Sequence, residues 1–181
     1  MSETIVDTLH AEFSTLIGFL NESNEISFQS LVNDNFRKSL LLSSASYFET
    51  VLSECVYQFV VDCTYEKHVI AFMIRRNVIE RKYHTWFNWG KANNANSFFA
   101  LFGDDFSTYA QKFVKENEHI SNSIRSFLDI GTNRNRLVHQ NFASFSLDQT
   151  AEEIYENYKS AKHFVEWFPG FLKQFNDADR N

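Results

Sequence analysis

Helix-breaking residues are almost absent from this sequence. Its 181 residues include one proline and five glycines, the residue types that most often interrupt helices and form tight hairpin turns. A chain with so few of them has little with which to end helices or to connect short strands. The sequence therefore predicts an all-α fold.

Apolar residues recur at steps of three and four along most of the chain, which is the spacing of amphipathic helices. We predict helices over residues 3–21, 27–63, 65–82, 96–102, 105–115 and 117–129, with a short one near 133–142 and a final one after Ser146. The predicted architecture is a single-domain helical bundle over residues 1–181, with about five to seven helices.

Several helix ends carry their own signals. Asp104 is predicted to cap the helix over 105–115, and Gly131 to end the one over 117–129. Ser146 and Gln149 have capping-box spacing before the last helix, which Pro169 is predicted to kink or end.

In the helix over 65–82, an apolar set is predicted to face inward and a basic set outward. The inward set is Val69, Phe72, Met73 and Ile79, and the outward set is Arg75, Arg76, Arg81 and Lys82.

Composition and charge limit the class of protein. The chain is 44% hydrophobic and 22% charged, as in globular proteins, and no apolar run approaches the ~20 residues of a membrane span. Glu3 and Asp7 stand where a secretory leader would be positive. A net charge of −6 argues against coating nucleic acid by bulk electrostatics. It permits a local basic site or a basic protein partner.

The two cysteines predict a reducing environment. Cys55 and Cys63 fall eight residues apart in one predicted helix, so ~1.5 Å of rise per residue separates them by about 12 Å, too far for a disulfide. We expect buried free thiols and a cytoplasmic location. No Cys or His spacing is typical of a metal site, so neither a metal nor a cofactor is expected.

Chemically capable side chains concentrate in residues 131–142, GTNRNRLVHQNF. Arg134 and Arg136 offer planar forks that suit phosphate oxygens, and His139 can transfer a proton near neutral pH. Asn135 can hold either group by hydrogen bonding. A helix N-terminus after Gly131 would add free N–H groups that favour a phosphate. This combination indicates phosphoryl-transfer chemistry without a metal.

The spacing of these residues favours two copies over one. On an ideal helix Asn135 and His139 share a face, whereas Arg134 and His139 are about 140° apart. One motif therefore does not surround one phosphate. Two copies related by a two-fold axis would place an Arg and a His from each chain around a shared cleft. RNA cleavage by 2′-OH attack needs a general base and a general acid, and two histidines can fill both roles.

The hexamer RNRLVH, residues 134–139, matches the R-[N/D/H]-x-x-x-H motif of the HEPN superfamily. Three longer segments, SASYFETVLSECV, NN…SFFALFGDDF and FLDIGTNRNRLVH, resemble its RiboL-PSP-HEPN branch. The resemblance implies an all-α, metal-independent endoribonuclease that acts as a homodimer and leaves 2′,3′-cyclic phosphate and 5′-hydroxyl ends.

The resemblance also implies roles for individual residues. Arg134 would bind and stabilise the scissile phosphate, His139 would transfer protons, and Asn135 would orient them. Glu49 on the second helix is the candidate for an acidic side chain that several HEPN proteins place near the motif. Arg136 departs from the apolar or variable residue common there. It is interpreted either as a further phosphate contact or as a solvent-exposed side chain.

Two other groups have alternative interpretations. A basic group is a candidate for contacts to an RNA backbone, but a solvated helix face is the favoured interpretation. Its members are Arg75, Arg76, Arg81, Lys82 and His84. Trp86, Phe87 and Trp89 can stack on unpaired bases, although core packing or a dimer interface is the favoured interpretation.

Two functions follow for the whole chain. The first is a toxin or antiviral effector that cleaves RNA as a homodimer, with an antitoxin or another regulatory protein as partner. The second is a catalytically silent HEPN module that dimerises or binds a nucleotide or protein.

Overall fold

The structure, a computed structural model, describes residues 3–64, 68–91 and 93–178. Within these ranges the chain forms eight α-helices, one π turn and one 3₁₀ turn, and no β-strand, which confirms the all-α prediction. The helices are α1 (Ile5–Glu22), α2 (Ile26–Cys63), α3 (Val69–Ile74), α4 (Glu80–Trp86), α5 (Asn96–Phe99), α6 (Asp104–Glu116), α7 (Glu118–His139) and α8 (Ala151–Ala178). The π turn is Arg75–Ile79, and the 3₁₀ turn is Ala100–Phe102.

The central layer is built from α2, α7 and α8, which pack against one another. α2 has 38 residues, so at ~1.5 Å per residue it is about 57 Å long and runs past the ends of the other helices. α1 folds back along α2 and is tied to α8 at its start. There Tyr155 Oη donates to Asp7 Oδ1 at 2.8 Å, and Tyr158 Oη lies 2.6 Å from Thr4 Oγ1.

Aromatic rings fill the space between these helices and the shorter ones. Phe127 of α7 packs on Phe48 of α2 and Phe164 of α8, with ring centroids 5.6 and 5.2 Å apart. Phe98 of α5 packs on Phe168 of α8 at 4.7 Å. All five rings are buried, so their burial supplies much of the hydrophobic stabilisation of the bundle.

The acidic excess of the chain lies entirely in its first 36 residues. This segment has six Asp and Glu and no Lys or Arg, whereas the rest carries 17 residues of each sign. The tip of the α1–α2 hairpin also exposes large apolar side chains, among them Phe19, Ile26 and Phe28. This tip, at Ile26, lies about 34 Å along α2 from Glu49. The charge counts show separately that the chain after residue 36 is balanced in charge.

The last helix begins later than predicted and does not stop at its proline. Thr150, not Ser146, is the capping residue, because its Oγ1 accepts from the Glu153 N–H at 3.1 Å and Glu153 Oε2 accepts from the Thr150 N–H at 2.8 Å. α8 then runs through Pro169 to Ala178. Pro169 is exposed.

The segment from α3 to α4 differs most from the prediction. Val69, Phe72 and Met73 are exposed, and of the four residues predicted to face inward Ile79 alone is buried. The physical reason is the π turn, which contains one residue more than an α-helical turn. A count of 3.6 residues per turn across the π turn therefore places Val69, Phe72 and Met73 on the same face as Ile79. In the structure these three residues are exposed and Ile79 is buried.

The two thiols occupy different environments, which corrects the expectation that both are buried. Cys63 is exposed, whereas Cys55 is half-buried; both are free. Burial raises the pKa of the Cys55 thiol to about 12, so it stays protonated at neutral pH. Among the described helices, none has the length and apolar character that crossing a bilayer requires.

Candidate functional site

The motif residues lie on the last two turns of α7, which is continuous from Glu118 to His139. Gly131 does not end a helix. A Cβ at Gly131 would lie 1.9 Å from Cζ3 of Trp89, so the absence of a side chain lets the indole pack directly on the helix. The free helix N-terminus predicted after Gly131 is wrong, because the backbone there is inside a helix.

Arg134 and Asn135 line a cavity of about 220 Å³ between α2, α4 and α7. Arg134 Nη1 donates to Asn135 Oδ1 at 3.1 Å, which restrains both side chains at its edge. Glu49 of α2 lines the same cavity. Three of the four residues predicted to be catalytic are therefore brought together by the packing of α2 on α7.

The other walls of this pocket are aromatic and acidic. They are formed by Ala45, Phe48, Glu80, Tyr83, His84, Trp89, Phe127, Ile130 and Gly131. Trp89 is held in place by a hydrogen bond from its Nε1 to the His84 carbonyl oxygen at 3.0 Å. Its ring lies 6.2 Å from Tyr83 and 5.8 Å from Phe127. The pocket thus has flat aromatic walls beneath a polar rim.

The three aromatic residues of the segment 86–89 separate into two groups. Trp86 and Phe87 are buried, with 1% and 3% of their surfaces exposed, and Phe87 stacks on Phe98 at 4.7 Å. Core packing therefore describes these two. Trp89 is half-buried and faces the pocket, so it remains accessible to a ligand.

Tyr83 stands between the charged groups of the pocket. Burial, the largest cause, and the negative Glu49 carboxylate raise the pKa of the Tyr83 hydroxyl far above its usual value, partly opposed by the Arg134 guanidinium. The phenol therefore stays protonated at neutral pH. It can donate or accept a hydrogen bond but does not act as a base there.

His139 lies apart from this pocket within one chain. It is the last residue of α7, it is exposed, and it does not line the cavity. It follows Asn135 by four residues, so it continues the same helix face by about one turn. Val138 and Phe142 beside it expose 45% and 43% of their surfaces. His139 therefore sits in an exposed, partly apolar surface next to the pocket.

A buried lysine and a half-buried arginine hold the chain that follows His139. Lys38, 2% exposed, donates from Nζ to the Phe142 carbonyl oxygen at 3.1 Å and to Asp34 Oδ2 at 2.8 Å. Arg37 donates from Nη1 to the Leu147 carbonyl oxygen at 3.0 Å. These bonds fix the connection between α7 and α8 on the surface of α2.

Asp129 fixes the same end of α7 from the other side. Its carboxylate accepts from the side-chain amides of Asn133 at 3.2 Å, Gln149 at 3.1 Å and Asn157 at 3.1 Å. The motif is thereby joined to the connection and to α8 through one polar network. Such a network limits movement of Arg134 and His139 relative to the bundle.

Arg75, Arg76 and Arg136, which were predicted to bind substrate, do not line the pocket. Arg136 points away from it: its guanidinium lies 5.7 Å from the Phe145 ring and donates to Asn133 Oδ1 at 3.3 Å. Arg76 is exposed on the π turn. The side chain of Arg81 lies outside the described residues.

Among the candidates whose side chains the structure describes, Arg75 adjoins the pocket. Its guanidinium lies 4.6 Å from the Tyr57 ring and pairs with Glu80 at 3.4 Å. Tyr57 and Arg75 line a shallow groove that shares Glu49 and Glu80 with the pocket. A continuous concave surface therefore leads from Arg75 to Arg134.

A family model describes most of this chain. The model for RiboL-PSP-HEPN matches residues 7–174, a range that includes α2, the pocket and the whole motif. The chain belongs to the RiboL-PSP-HEPN family. Membership suggests a nuclease or a nucleotide-binding module. No curated protein and no solved structure matches the chain.

Sequence reasoning missed the part of this RiboL-PSP-HEPN site that comes from α4. Glu80 and Tyr83 belong to no recognisable sequence motif, and His84 was considered only as a member of the basic group near it. Nothing in a local pattern shows that α4 packs against α7, and the π turn shifts the faces of the helix. The aromatic-rich segment 83–89 was the available signal.

Proposed function

We propose that this RiboL-PSP-HEPN protein is a metal-independent endoribonuclease that acts as a homodimer. The observation that carries the proposal is the shared placement of Arg134, Asn135 and Glu49 at one pocket, with His139 exposed one turn further along the motif helix. Arg134 binds and stabilises the scissile phosphate, and Asn135 orients it through their 3.1 Å hydrogen bond.

The homodimer follows from the position of His139. His139 lies beside the pocket of its own chain and does not line it, and its exposed position allows it to serve the pocket of a partner across an interface. Val138 and Phe142, which are exposed and apolar, give that interface its hydrophobic contact. In the dimer, the His139 side chains act as general base on the 2′-OH and as general acid on the leaving 5′-oxygen. The 2′-oxygen attacks phosphorus and leaves a 2′,3′-cyclic phosphate.

The chemistry sets the biological role that we propose. An RNA-cleaving enzyme harms the cell that makes it, so a toxin or antiviral effector in the cytoplasm, held by an antitoxin or another regulatory protein, fits this activity. Glu22 and Glu25, at the tip of the α1–α2 hairpin, lie about 34 Å or more from Glu49 along α2, so these two carboxylates do not repel RNA at the site. Arg134 and Arg75 then supply local contacts to phosphate.

The test is incubation of the purified protein with total RNA in EDTA, followed by mapping of product ends. We expect cyclic phosphate and 5′-hydroxyl ends from the wild type. His139→Ala should reduce the rate about 10²–10⁴-fold, the usual contribution of general acid–base catalysis, and Arg134→Ala should reduce it comparably. His119→Ala, at the opposite end of α7, is the matched control and should cleave like the wild type.

Subunit mixing tests the shared cleft. When wild-type and His139→Ala chains exchange subunits, the mixed dimers keep only one histidine in the cleft, so they should cleave RNA far more slowly than the half rate that two independent sites would give. Cleavage that persists in His139→Ala would contradict the mechanism. Absence of cleavage in the wild type would favour the second function, a silent module that binds a nucleotide or a protein.

A further inference from the structure

The pocket beside Arg134 has the wrong charge for a phosphate. Glu49 and Glu80 both line it, and carboxylates repel phosphate oxygens at this range. The one cationic side chain that is always charged, Arg134, stands at its edge. The phosphate therefore belongs at the rim, and the interior must receive a neutral group that donates hydrogen bonds.

The size and walls of the pocket suit a single nucleobase. A volume of about 220 Å³ falls below the 300–1,000 Å³ of pockets for larger ligands. The rings of Phe48, Tyr83, Trp89 and Phe127 form its sides. Unpaired bases in RNA are commonly bound by insertion between such rings, with hydrogen bonds to their Watson–Crick edge.

Glu49 is the carboxylate available to read that edge. Glu80 already pairs with Arg75 at 3.4 Å. Glu49 is half-buried on α2, and among the described residues no hydrogen bond or ion pair engages its carboxylate. A carboxylate accepts hydrogen bonds and donates none when ionised. A ligand in this pocket would therefore donate the hydrogen bonds that the Glu49 carboxylate can accept.

Only one common base presents two neighbouring donors to a carboxylate. Guanine offers N1–H and N2–H side by side, which match the two oxygens of one carboxylate in a bidentate pair. The Watson–Crick edges of adenine and cytosine place one donor beside an acceptor, and uracil places its single donor between two acceptors. Each of these three bases would leave one carboxylate oxygen facing an acceptor or without a partner.

We propose that the pocket binds guanine next to the scissile phosphate, with Glu49 as the specificity-determining residue. Tyr83 lines the same pocket, where the charges of Glu49 and Arg134 act on its hydroxyl, and it supports the same ligand by hydrogen bonding. The inference rests on the proposed function for its RNA substrate. It departs from the expectation that Glu49 is catalytic.

Binding of nucleoside monophosphates tests the proposal without any cleavage. Calorimetric titration of the full chain with GMP, AMP, CMP and UMP should show GMP bound at least tenfold more tightly than the others. Glu49→Gln should remove this preference by weakening GMP while leaving AMP unchanged. Glu152→Gln, exposed in the first turn of α8, is the matched control and should retain the preference.

The two proposals fail in different ways. Equal affinities for the four nucleotides, absence of binding, or a GMP preference that survives Glu49→Gln would overturn the guanine site. RNA cleavage with no guanine enriched at a fixed position beside the cut would also overturn it, while leaving the nuclease intact. GMP binding that depends on Glu49 in a protein that cuts no RNA would support the guanine site and reject the nuclease.

Discussion

Gly131 shows what a single residue contributes to this site. In the sequence it resembles a helix terminator, because glycine is common just past helix ends. In the fold it lies in mid-helix, and the Trp89 indole occupies the space that a side chain would need. The wall of the pocket therefore depends on the absence of one methyl group.

Substitution of Gly131 by alanine tests this packing. The new Cβ would lie 1.9 Å from Trp89 Cζ3, so the indole or α7 must shift, and we expect a loss of about 1–3 kcal/mol in the free energy of unfolding. Trp89 fluorescence should change as well. Chemical denaturation of the folded variant measures the first effect.

Gly18→Ala is the comparison for that substitution. Gly18 also lies within a helix, α1, and nothing lies within 4 Å of a Cβ placed there. Alanine should stabilise the chain by about 0.5–1 kcal/mol through its higher helix propensity. Equal effects at Gly131 and Gly18 would contradict a packing role for Gly131.

At the residue scale, a sequence pattern points only to side chains that lie within one short segment. The RNRLVH hexamer identified Arg134 and Asn135, which line the pocket, because their spacing on one helix is local. Tyr83 and Trp89 could not be assigned to the pocket in this way. Their contribution depends on how α4 and its following loop pack against α7, and no pattern within either segment records that contact.

The prediction of helix boundaries is limited in the same way, because it also depends on contacts that a local pattern does not record. The long α2 was predicted within a residue of its start because its apolar pattern is uninterrupted. The start of α8 was misplaced, since the Ser146 and Thr150 segments both contain capping residues. The hydrogen bonds of Arg37 and Lys38 hold the connection against α2, and the first helical turn of α8 forms only after Thr150.

The cap at Thr150 gives a test at the level of the element. Thr150→Ala removes the hydroxyl that accepts from the Glu153 N–H, and we expect the free energy of unfolding to fall by about 1 kcal/mol. Ser146→Ala should change it by much less, because α8 begins after that residue. Thermal unfolding of both variants decides between the two positions, and a larger effect at Ser146 would refute the cap at Thr150.

The stability of the whole molecule should depend on acid through two carboxylates. The hydrogen bond from Lys38 is the largest cause that lowers the pKa of Asp34. Burial would raise the pKa of Asp7, but hydrogen bonds from Thr4 and Tyr155 with the charge of Lys162 outweigh it and lower that pKa. The Asp7 contacts join α1 to α8. Asp34 instead holds Lys38 and Arg37 of its own helix, whose other hydrogen bonds reach the loop that follows the motif.

The pKa values of Asp34 and Asp7 are lower in the folded protein than the value of 3.8 expected for the unfolded chain. Their ionised carboxylates therefore stabilise the fold above pH 3.8, and this stabilisation is lost as the pH falls through the folded-state pKa. We therefore expect urea midpoints to fall as pH drops below about 4. Asp34→Asn should lower stability at pH 7 and make this fall shallower. Asp148→Asn, at an exposed carboxylate, should leave the pH profile unchanged. A profile that is as steep in Asp34→Asn as in the wild type would exclude Asp34 as a cause.

The π turn at Arg75–Ile79 has a consequence for how chain length varies in this fold. Because the turn absorbs one extra residue, a chain shorter by one at this point would form an ordinary α-helix and still present Tyr83 and Glu80 to the pocket. The same deletion within α2 or α7 would rotate everything beyond it by about 100° and dismantle the site. Homologous sequences that keep the pocket can therefore carry a single-residue gap between positions 75 and 79, whereas α2 and α7 must keep their length.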